Sequence, residues 1–186
     1  MRQTSSSSPH IFIIILNFNG SDNTRACLES VAKLEVRSTK LEVVVVDNGS
    51  KEKLMINDEG LMMKDLKIIR NEENLGYAGG NNVGIRYALD NGADYIVILN
   101  NDTLVDIAFV EELVGVAASN EEIGIVAPKI YFAKGFEFHK DRYQKDELGR
   151  VIWYAGGSMD WANVLGRHRG VDEVDRGQFD KREEIG

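Results

Sequence analysis

The 186-residue sequence predicts an α/β fold, a three-layer α/β/α sandwich around a mostly parallel central sheet. Two observations carry this. Runs such as Val43 to Val46 are apolar at every position instead of alternating, which requires cover on both faces of a strand. Such runs alternate along the chain with segments whose apolar residues recur at helical spacing, and short polar loops separate the two.

The elements follow in order. Ile11 to Leu16 is a short apolar run that predicts the first strand, and "NFNGSD" after it supplies turn residues and a helix cap in Ser21 or Asp22. Cys27, Leu28, Val31 and Leu34 then recur at helical spacing. Leu41 to Ser50 repeats the grammar: valines break abruptly into Asp47, Asn48, Gly49 and Ser50, with Asn48 or Ser50 as the next cap. Leu66 to Ile69 predicts a third strand, and Asn71 to Asn82 a long polar, glycine-rich loop. Val83, Ile85, Tyr87, Ala88 and Leu89 predict a helix that Asn91 and Gly92 end. Tyr95 to Leu99 predicts a fourth strand, Ala108 to Ala118 a helix, and Ile123 to Ala127 a fifth strand before Pro128.

From Pro128 the character changes to charged, glycine-punctuated and aromatic, with only Val151 to Ala155 reading as a strand. The organisation expected is a flexible leader over residues 1–10, an α/β domain over 11–127, and an extended hairpin or lid region over 128–186 without a core of its own. No closing element follows "KREEIG", so the chain reads as incomplete at its C-terminus.

At 43% apolar content the chain is long enough to bury a sizeable core. Its net charge of -8, from 30 acidic and 22 basic side chains, leaves no overall electrostatic footprint for nucleic acid or an anionic membrane. An anionic substrate stays compatible if a divalent cation bridges the two. The one cysteine, Cys27, excludes an intrachain disulfide and a CxxC metal pair, and its place in a helical pattern makes it a core thiol. The longest apolar run, Ile11 to Leu16, is far below the roughly 20 residues of a membrane span. The leader lacks the apolar region of a signal peptide. A cytoplasmic location is the expectation, with peripheral attachment to the membrane face left open.

Asn17 to Gly20, Asp47 to Ser50, Asn71 to Asn82 and Asn100 to Asp102 each begin where a predicted strand ends. In a parallel α/β sheet with right-handed crossovers those ends share one edge, and ligands bind there. Each cluster alone has two readings. Asp47 to Ser50 is a turn with a cap, or a turn whose carboxylate accepts a ring N–H such as N3 of uracil or thymine. Asn74, Gly76, Gly80 and Asn82 belong to a permissive loop, or to one whose backbone N–H groups approach a phosphate at a helix start. The loop is neither GxGxxG nor GxxxxGKS/T, so dinucleotide-binding and P-loop assignments find no support. Asn100, Asn101 and Asp102 cap the next helix, or set one carboxylate on a rigid strand end. A hard cation such as Mg²⁺ or Mn²⁺ is usually held by one or two carboxylates plus substrate phosphate oxygens, a demand that one such aspartate fits.

The stretches "ILNFNG", "VVVVDNGS", "RNEENLGYAGGNNVGI", "VILNNDTLV" and "WYAGGSMDW" resemble, in order and spacing, the family 2 glycosyltransferases of the type A nucleotide-diphospho-sugar transferase fold, especially their rhamnosyltransferase-like branch. The resemblance covers about residues 10 to 180, and its third stretch is the most specific. It implies that Asn17 and Asn19 line the nucleotide and that Asp47, with Asn48, contacts the pyrimidine. It implies too that the loop of Asn74, Gly76, Gly80 and Asn82 closes over ribose and diphosphate. The family's Asp-x-Asp motif falls on Asn100, Asn101 and Asp102, which makes Asp102 the metal ligand. Asn100 stands where an acid is expected; as an amide it keeps a contact to the ribose.

What the resemblance implies is inverting transfer from a UDP- or dTDP-sugar to a saccharide or lipid-linked acceptor, with a divalent cation neutralising the departing diphosphate. UDP and dTDP stay equivalent because uracil and thymine present the same N3–H. The general base is expected beyond Gly186. Asp160 is the candidate inside the sequence, with His168 and Asp172 behind it, each read more simply as a solvated loop residue. Trp153 and Trp161 form a sugar-stacking wall or pack this region. A rival from another class is a nucleotide-sugar-binding or scaffold module without turnover. A nucleotidyltransferase would want a basic phosphate loop after the first strand, where only Arg25 is found, inside the helix.

Overall fold

A computed structural model describes residues 8–36, 39–56, 63 and 65–184 of the chain. Residues 1–7 of the expected leader lie outside the described residues. The chain folds as two compact units, the first ending at Ala118 and the second beginning at Ser119. The first holds β1 (His10–Asn17), α1 (Ser21–Val31), β2 (Lys40–Asn48), β3 (Leu66–Asn71), α2 (Gly76–Asp90), β4 (Tyr95–Asn100) and α3 (Phe109–Ala117). Its sheet runs β3-β2-β1-β4, with every pairing parallel.

The both-faces-apolar pattern is satisfied as predicted. Ile11, Ile13 and Ile15 of β1 and Val43 and Val45 of β2 bury with Cys27, Leu28 and Val31 of α1 and Val110 of α3. Phe12, Ile14, Val44 and Val46 turn to the opposite face and bury with Ala88 of α2. Three layers result, α1 and α3 on one side and α2 on the other. Cys27 is a buried core thiol, and burial pushes its pKa up to about 11.

α2 lies very close to the sheet because its contact face is glycine. A Cβ on Gly84 would fall 2.5 Å from Ile14 Cγ2, and one on Gly80 would fall 2.4 Å from Leu16 Cδ1. α2 also begins earlier than its apolar periodicity indicates. The predicted loop from Asn71 to Asn82 is loop only to Leu75, and the helix starts at Gly76. Helix hydrogen bonding needs no apolar residue, so the polar, glycine-rich first turns carry no periodic signal.

The predicted caps differ as well. Gly20 occupies the cap position of α1 with no side-chain hydrogen bond, and among the described residues no helix follows Asn48 or Ser50. Those side chains are drawn instead into a network across the loops.

The second unit contains β5 (Ile130–Tyr131) paired antiparallel with β6 (Ile152–Tyr154), a short 3₁₀ turn at Lys140–Arg142, and a hairpin of β7 (Gly157–Asp160) and β8 (Leu165–His168). Ile123 to Ala127, predicted as a strand, is irregular, and Ile125 is 92% exposed. β-propensity without a partner strand leaves the backbone groups to solvent. Neither apolar core cluster of the described residues draws on this unit. Val151, Ile152 and Ala155 are buried, and buried carboxylates do much of the organising. Glu137 accepts the N–H groups of Gly135 (2.8 Å) and Gly149 (2.6 Å). Asp175 accepts the Tyr131 hydroxyl and pairs with Lys129 (2.7 Å). Burial opposes the Asp175 charge, yet the Lys129 and Tyr131 hydrogen bonds outweigh it and bring its pKa down to about 2.

The glycine contact yields a test. Gly84→Ala is expected to cost about 1–3 kcal/mol in denaturant unfolding, the range for overpacking a closed interface. Gly115→Ala, inside α3 with nothing within 4 Å of its Cβ, should instead gain about 0.5–1 kcal/mol from helix propensity.

Candidate functional site

Register brings the polar strand ends together. Asn17 lies opposite Asp47, Asp47 opposite Arg70, Asn48 opposite Asn71, and Leu16 opposite Asn100. The four clusters far apart in sequence therefore share the carboxyl edge of one sheet. They form two tiers, a buried inner one and an exposed outer one.

Asp47 is the centre of the inner tier. It is 1% exposed, and its oxygens accept hydrogen bonds from Asn17 Nδ2 (3.3 Å), Ser50 N (3.3 Å), Leu54 N (3.4 Å) and Arg70 Nη1. Burial opposes its charge, but hydrogen bonds from Ser50 and Leu54 and the Arg70 charge hold the carboxyl below the usual carboxylate range. In this arrangement the carboxylate expected to meet a base ring faces protein donors. Arg70, with 38% side-chain exposure, stands beside it at the surface and also donates to Ser50 O (2.8 Å).

The network continues across the sheet. Asn17 Nδ2 also donates to Ser50 Oγ (3.1 Å), while Asn17 Oδ1 accepts Gly20 N (3.3 Å) and Thr24 Oγ (2.9 Å). Thr24 Oγ in turn accepts Asn101 Nδ2 (3.0 Å). Asn19, left-handed at φ +54°, donates its N–H to Ser50 Oγ (2.9 Å).

Asn48, also buried, clamps the other side. Its Nδ2 donates to Asn74 Oδ1 (2.8 Å) and Gly76 O (3.1 Å), and its Oδ1 accepts Asn71 Nδ2 (2.9 Å) and Leu75 N (3.2 Å). Gly49 is required by this closure: at φ +75°, a Cβ would lie 2.5 Å from the Glu73 carbonyl carbon. Asn74 Oδ1 accepts Gly76 N (2.8 Å) at the start of α2.

Gly80 does not belong to the exposed loop where the sequence places it. As the fifth residue of α2 its N–H lies inside the helical ladder, and its α-carbon packs against Leu16 and Asn48. Its role is close packing. Asn82 sits on the exposed side of the same helix.

The outer tier therefore consists of Phe18, Asn19, Asn74, Gly76, Tyr77, Asn82, Asn100 and Asp102, all exposed, with Asn101 half-buried. Tyr77 reaches from the first turn of α2 and donates its hydroxyl to Asn100 Oδ1 (3.1 Å), which places the positive end of that helix beside the β4 turn. Among the described residues no three His, Cys, Asp or Glu side chains are placed to share a metal ion. Asp102, an exposed carboxylate with amides on its N-terminal side, fits a hard cation that takes its other oxygens from phosphate and water.

In the second unit the predicted catalytic candidates are engaged locally. Asp160 accepts the N–H groups of Ala162 (3.1 Å) and Asn163 (3.2 Å) and Asn163 Nδ2 (2.9 Å). Those Asn163 bonds lower its pKa, which weakens it as a base. His168 packs edge-on to Trp153 and Tyr154, with centroids 5.6 and 5.4 Å away. Asp172 accepts Tyr143 Oη (2.6 Å), His139 Nδ1 (2.8 Å) and Arg142 Nη1 (2.8 Å). Trp161 is exposed at the hairpin tip.

Residues 12–173, spanning both units, match the profile of Glycosyl transferase family 2. The chain belongs to glycosyl transferase family 2. A relative in this group is the low-salt glycan biosynthesis hexosyltransferase Agl10 of Haloferax volcanii, 28% identical over 141 residues, covering 75% of this chain and 43% of the relative. An uncharacterized glycosyltransferase of Haemophilus influenzae is 30% identical over 114 residues, covering 61% of this chain and 36% of its own length. The family 2 chain thus spans about two fifths of the length of these curated relatives, at 43% and 36%.

Two solved structures share the fold. S. aureus TarS 1-349 superposes with a TM-score of 0.52 at 20% identity, covering 67% of this chain and 42% of that one. The mannosyltransferase PcManGT of Pyrobaculum calidifontis, in complex with GDP-Man and Mn²⁺, gives 0.51 at 19%, covering 81% and 42%. The α/β architecture predicted from sequence is thus the one that these two solved structures share.

Arg70, Tyr77, Thr24 and Phe18 were not singled out from sequence. Arg70 alone left a usable signal, a cation closing the third strand one residue before the polar loop.

Because Asp47 is held ionised by its partners, its contribution is present above the unfolded carboxyl pKa of about 3.9 and is lost as pH falls through the lower folded value. Asp47→Asn is expected to cost about 2–3 kcal/mol at neutral pH, less than a fully buried pair because Arg70 keeps solvent contact. Urea melts from pH 7 to 3 should show the difference from wild type shrinking below pH 4.

Proposed function

We propose that the chain is the donor-binding part of a glycosyltransferase. In this reading it takes a sugar from a UDP- or dTDP-linked donor and passes it, with inversion, to a saccharide or lipid-linked acceptor, as the rhamnosyltransferase-like branch would. The observation that supports it most is the outer tier itself. The first turn of α2, Asn100 and the exposed Asp102 meet at the carboxyl edge of a parallel sheet. The positive end of a helix and one carboxylate suit a diphosphate with its cation.

Each residue then has a task. Asn74 and Gly76 shape the loop that meets ribose and diphosphate. The α2 N-terminus, opened by Gly76, favours the negative charge that builds on the leaving diphosphate. Asp102 would hold Mg²⁺ or Mn²⁺, which when bound neutralises that charge as a Lewis acid. Asp47 sets Arg70 and the Asn17–Gly20 loop in place for the base, and Asn100 offers an amide to the ribose. Asp160 and Asp172 carry their hydrogen bonds inside their own unit and are assigned no proton transfer.

The rival reading, a nucleotide-sugar-binding scaffold without turnover, is supported by the single acidic ligand. Calorimetry with UDP, dTDP and GDP, each with and without Mn²⁺, addresses the first step. Metal-dependent binding of UDP or dTDP that falls at least about tenfold in Asp102→Ala is expected. No binding of any nucleotide would remove the donor site.

Asn100→Asp gives a sharper test. It keeps the acceptor for Tyr77 and adds the missing charge, so the Mn²⁺ concentration needed for half-maximal nucleotide binding should drop several-fold.

A further inference from the structure

One side of α1 carries small polar groups that an apolar core does not need. Thr24, Cys27 and Ser30 follow one another at intervals of three and so share that side, with Thr24 and Cys27 buried. Groups of this kind cost stability when taken from water unless hydrogen bonds replace it. Each of the three reaches the same segment, residues 100–105, which carries Asp102. Thr24 Oγ accepts Asn101 Nδ2 at 3.0 Å, Cys27 Sγ donates to Asn100 O at 3.7 Å, and Ser30 Oγ accepts Val105 N at 3.2 Å.

These contacts bracket Asp102. Asn100 O receives a second donor, Thr103 Oγ at 2.7 Å, so both lone pairs of the carbonyl at the start of the turn are occupied. Asn101, just before Asp102, is held through its side chain by Thr24 and by Gly20 O (3.4 Å). Val105, three residues after Asp102, is held through its backbone by a hydroxyl that itself donates to Cys27 O at 2.7 Å. Beyond it, Ile107 O accepts Glu35 N at 3.0 Å from the segment after α1. Between these ties Asp102 itself stays exposed. A lone carboxylate on a free loop gives up conformational freedom each time a cation binds, and ties made beforehand remove that cost.

We propose that Thr24, Cys27 and Ser30 are positioning residues that preset residues 100–105, so that Asp102 meets a divalent cation without rearrangement. The inference rests on the reading of Asp102 as the cation's ligand. It adds a row of residues on α1 that sets how tightly one carboxylate holds the ion.

Ser30→Ala removes the acceptor for Val105 N and is the test. Hydrogen exchange followed by NMR on the metal-free protein should show the Val105 amide exchanging several-fold faster than in wild type, with the β1–β2 ladder unchanged. Calorimetry with saturating UDP or dTDP and titrated Mn²⁺, alongside the Mn²⁺ EPR signal, then reads the ion. Half-saturation should need about three- to tenfold more Mn²⁺ in Ser30→Ala, the change that one hydrogen bond makes. Ser30→Thr keeps the hydroxyl and should return the wild-type value. Val31→Ala, also on α1, removes core volume without removing a tie to the segment. It should lower the Tm and leave the Mn²⁺ demand unchanged, which separates positioning from general weakening.

Unchanged Val105 exchange, an unchanged Mn²⁺ demand in Ser30→Ala, a rise that Ser30→Thr fails to reverse, or an equal rise in Val31→Ala would each overturn the positioning role while the donor site stands. Wild-type protein that binds neither nucleotide in the presence of Mn²⁺ would instead remove the Asp102 reading, and this proposal with it.

Discussion

A carboxylate removed from water at the end of β2 sets the geometry of the whole carboxyl edge. Asp47 has to recover its lost solvation from protein donors, and the donors available come from different elements: Asn17 after β1, the Ser50 and Leu54 backbone after β2, and Arg70 at the end of β3. Each loop is thereby tied to the same pair of oxygens. The constraint propagates, because the amide that gives its N–H to Asp47 gives its oxygen to Gly20 and Thr24, and Thr24 receives Asn101 beyond β4. One buried charge thus registers loops from four strands.

Such an edge separates holding from meeting. Asn17, Asp47 and Asn48 are spent on the protein itself, while Asn19, Asn74, Asn82, Asn100 and Asp102 keep exposed polar groups. The glycines divide in the same way. Gly80 and Gly84 let α2 lie against Leu16 and Ile14, and that close seat brings the first turn of the helix to Asn100. A bulkier contact face would lift the helix and move its positive end away from Asp102.

The second unit meets a different problem with the same means. With few of its apolar residues buried, it folds around carboxylates, Glu137 taking backbone N–H groups and Asp175 taking Lys129 and Tyr131. Polar cores of this kind are stable only when every oxygen is satisfied. They leave apolar residues to spare, and several of those stand exposed on the β7–β8 turn.

The sequence by itself determined the layers, the strands and the convergence of the polar strand ends. Those follow from periodicity and from the chirality of parallel crossovers, which act locally or apply to all such sheets. The runs at Ile11 to Leu16 and Val43 to Val46, and the strand ending at Asn100, were legible for that reason. What only the tertiary structure decided is which polar residues face inward. Asp47 and Asp102 look alike in sequence, each following an apolar run at a strand end. One is enclosed by Arg70 from a neighbouring strand and the other stands on an open turn. The start of α2 at Gly76, the packing role of Gly80 and the absence of a strand at Ile123 to Ala127 were hidden likewise. Burial and pairing belong to partners brought from elsewhere in the chain, and no local pattern records who those partners are.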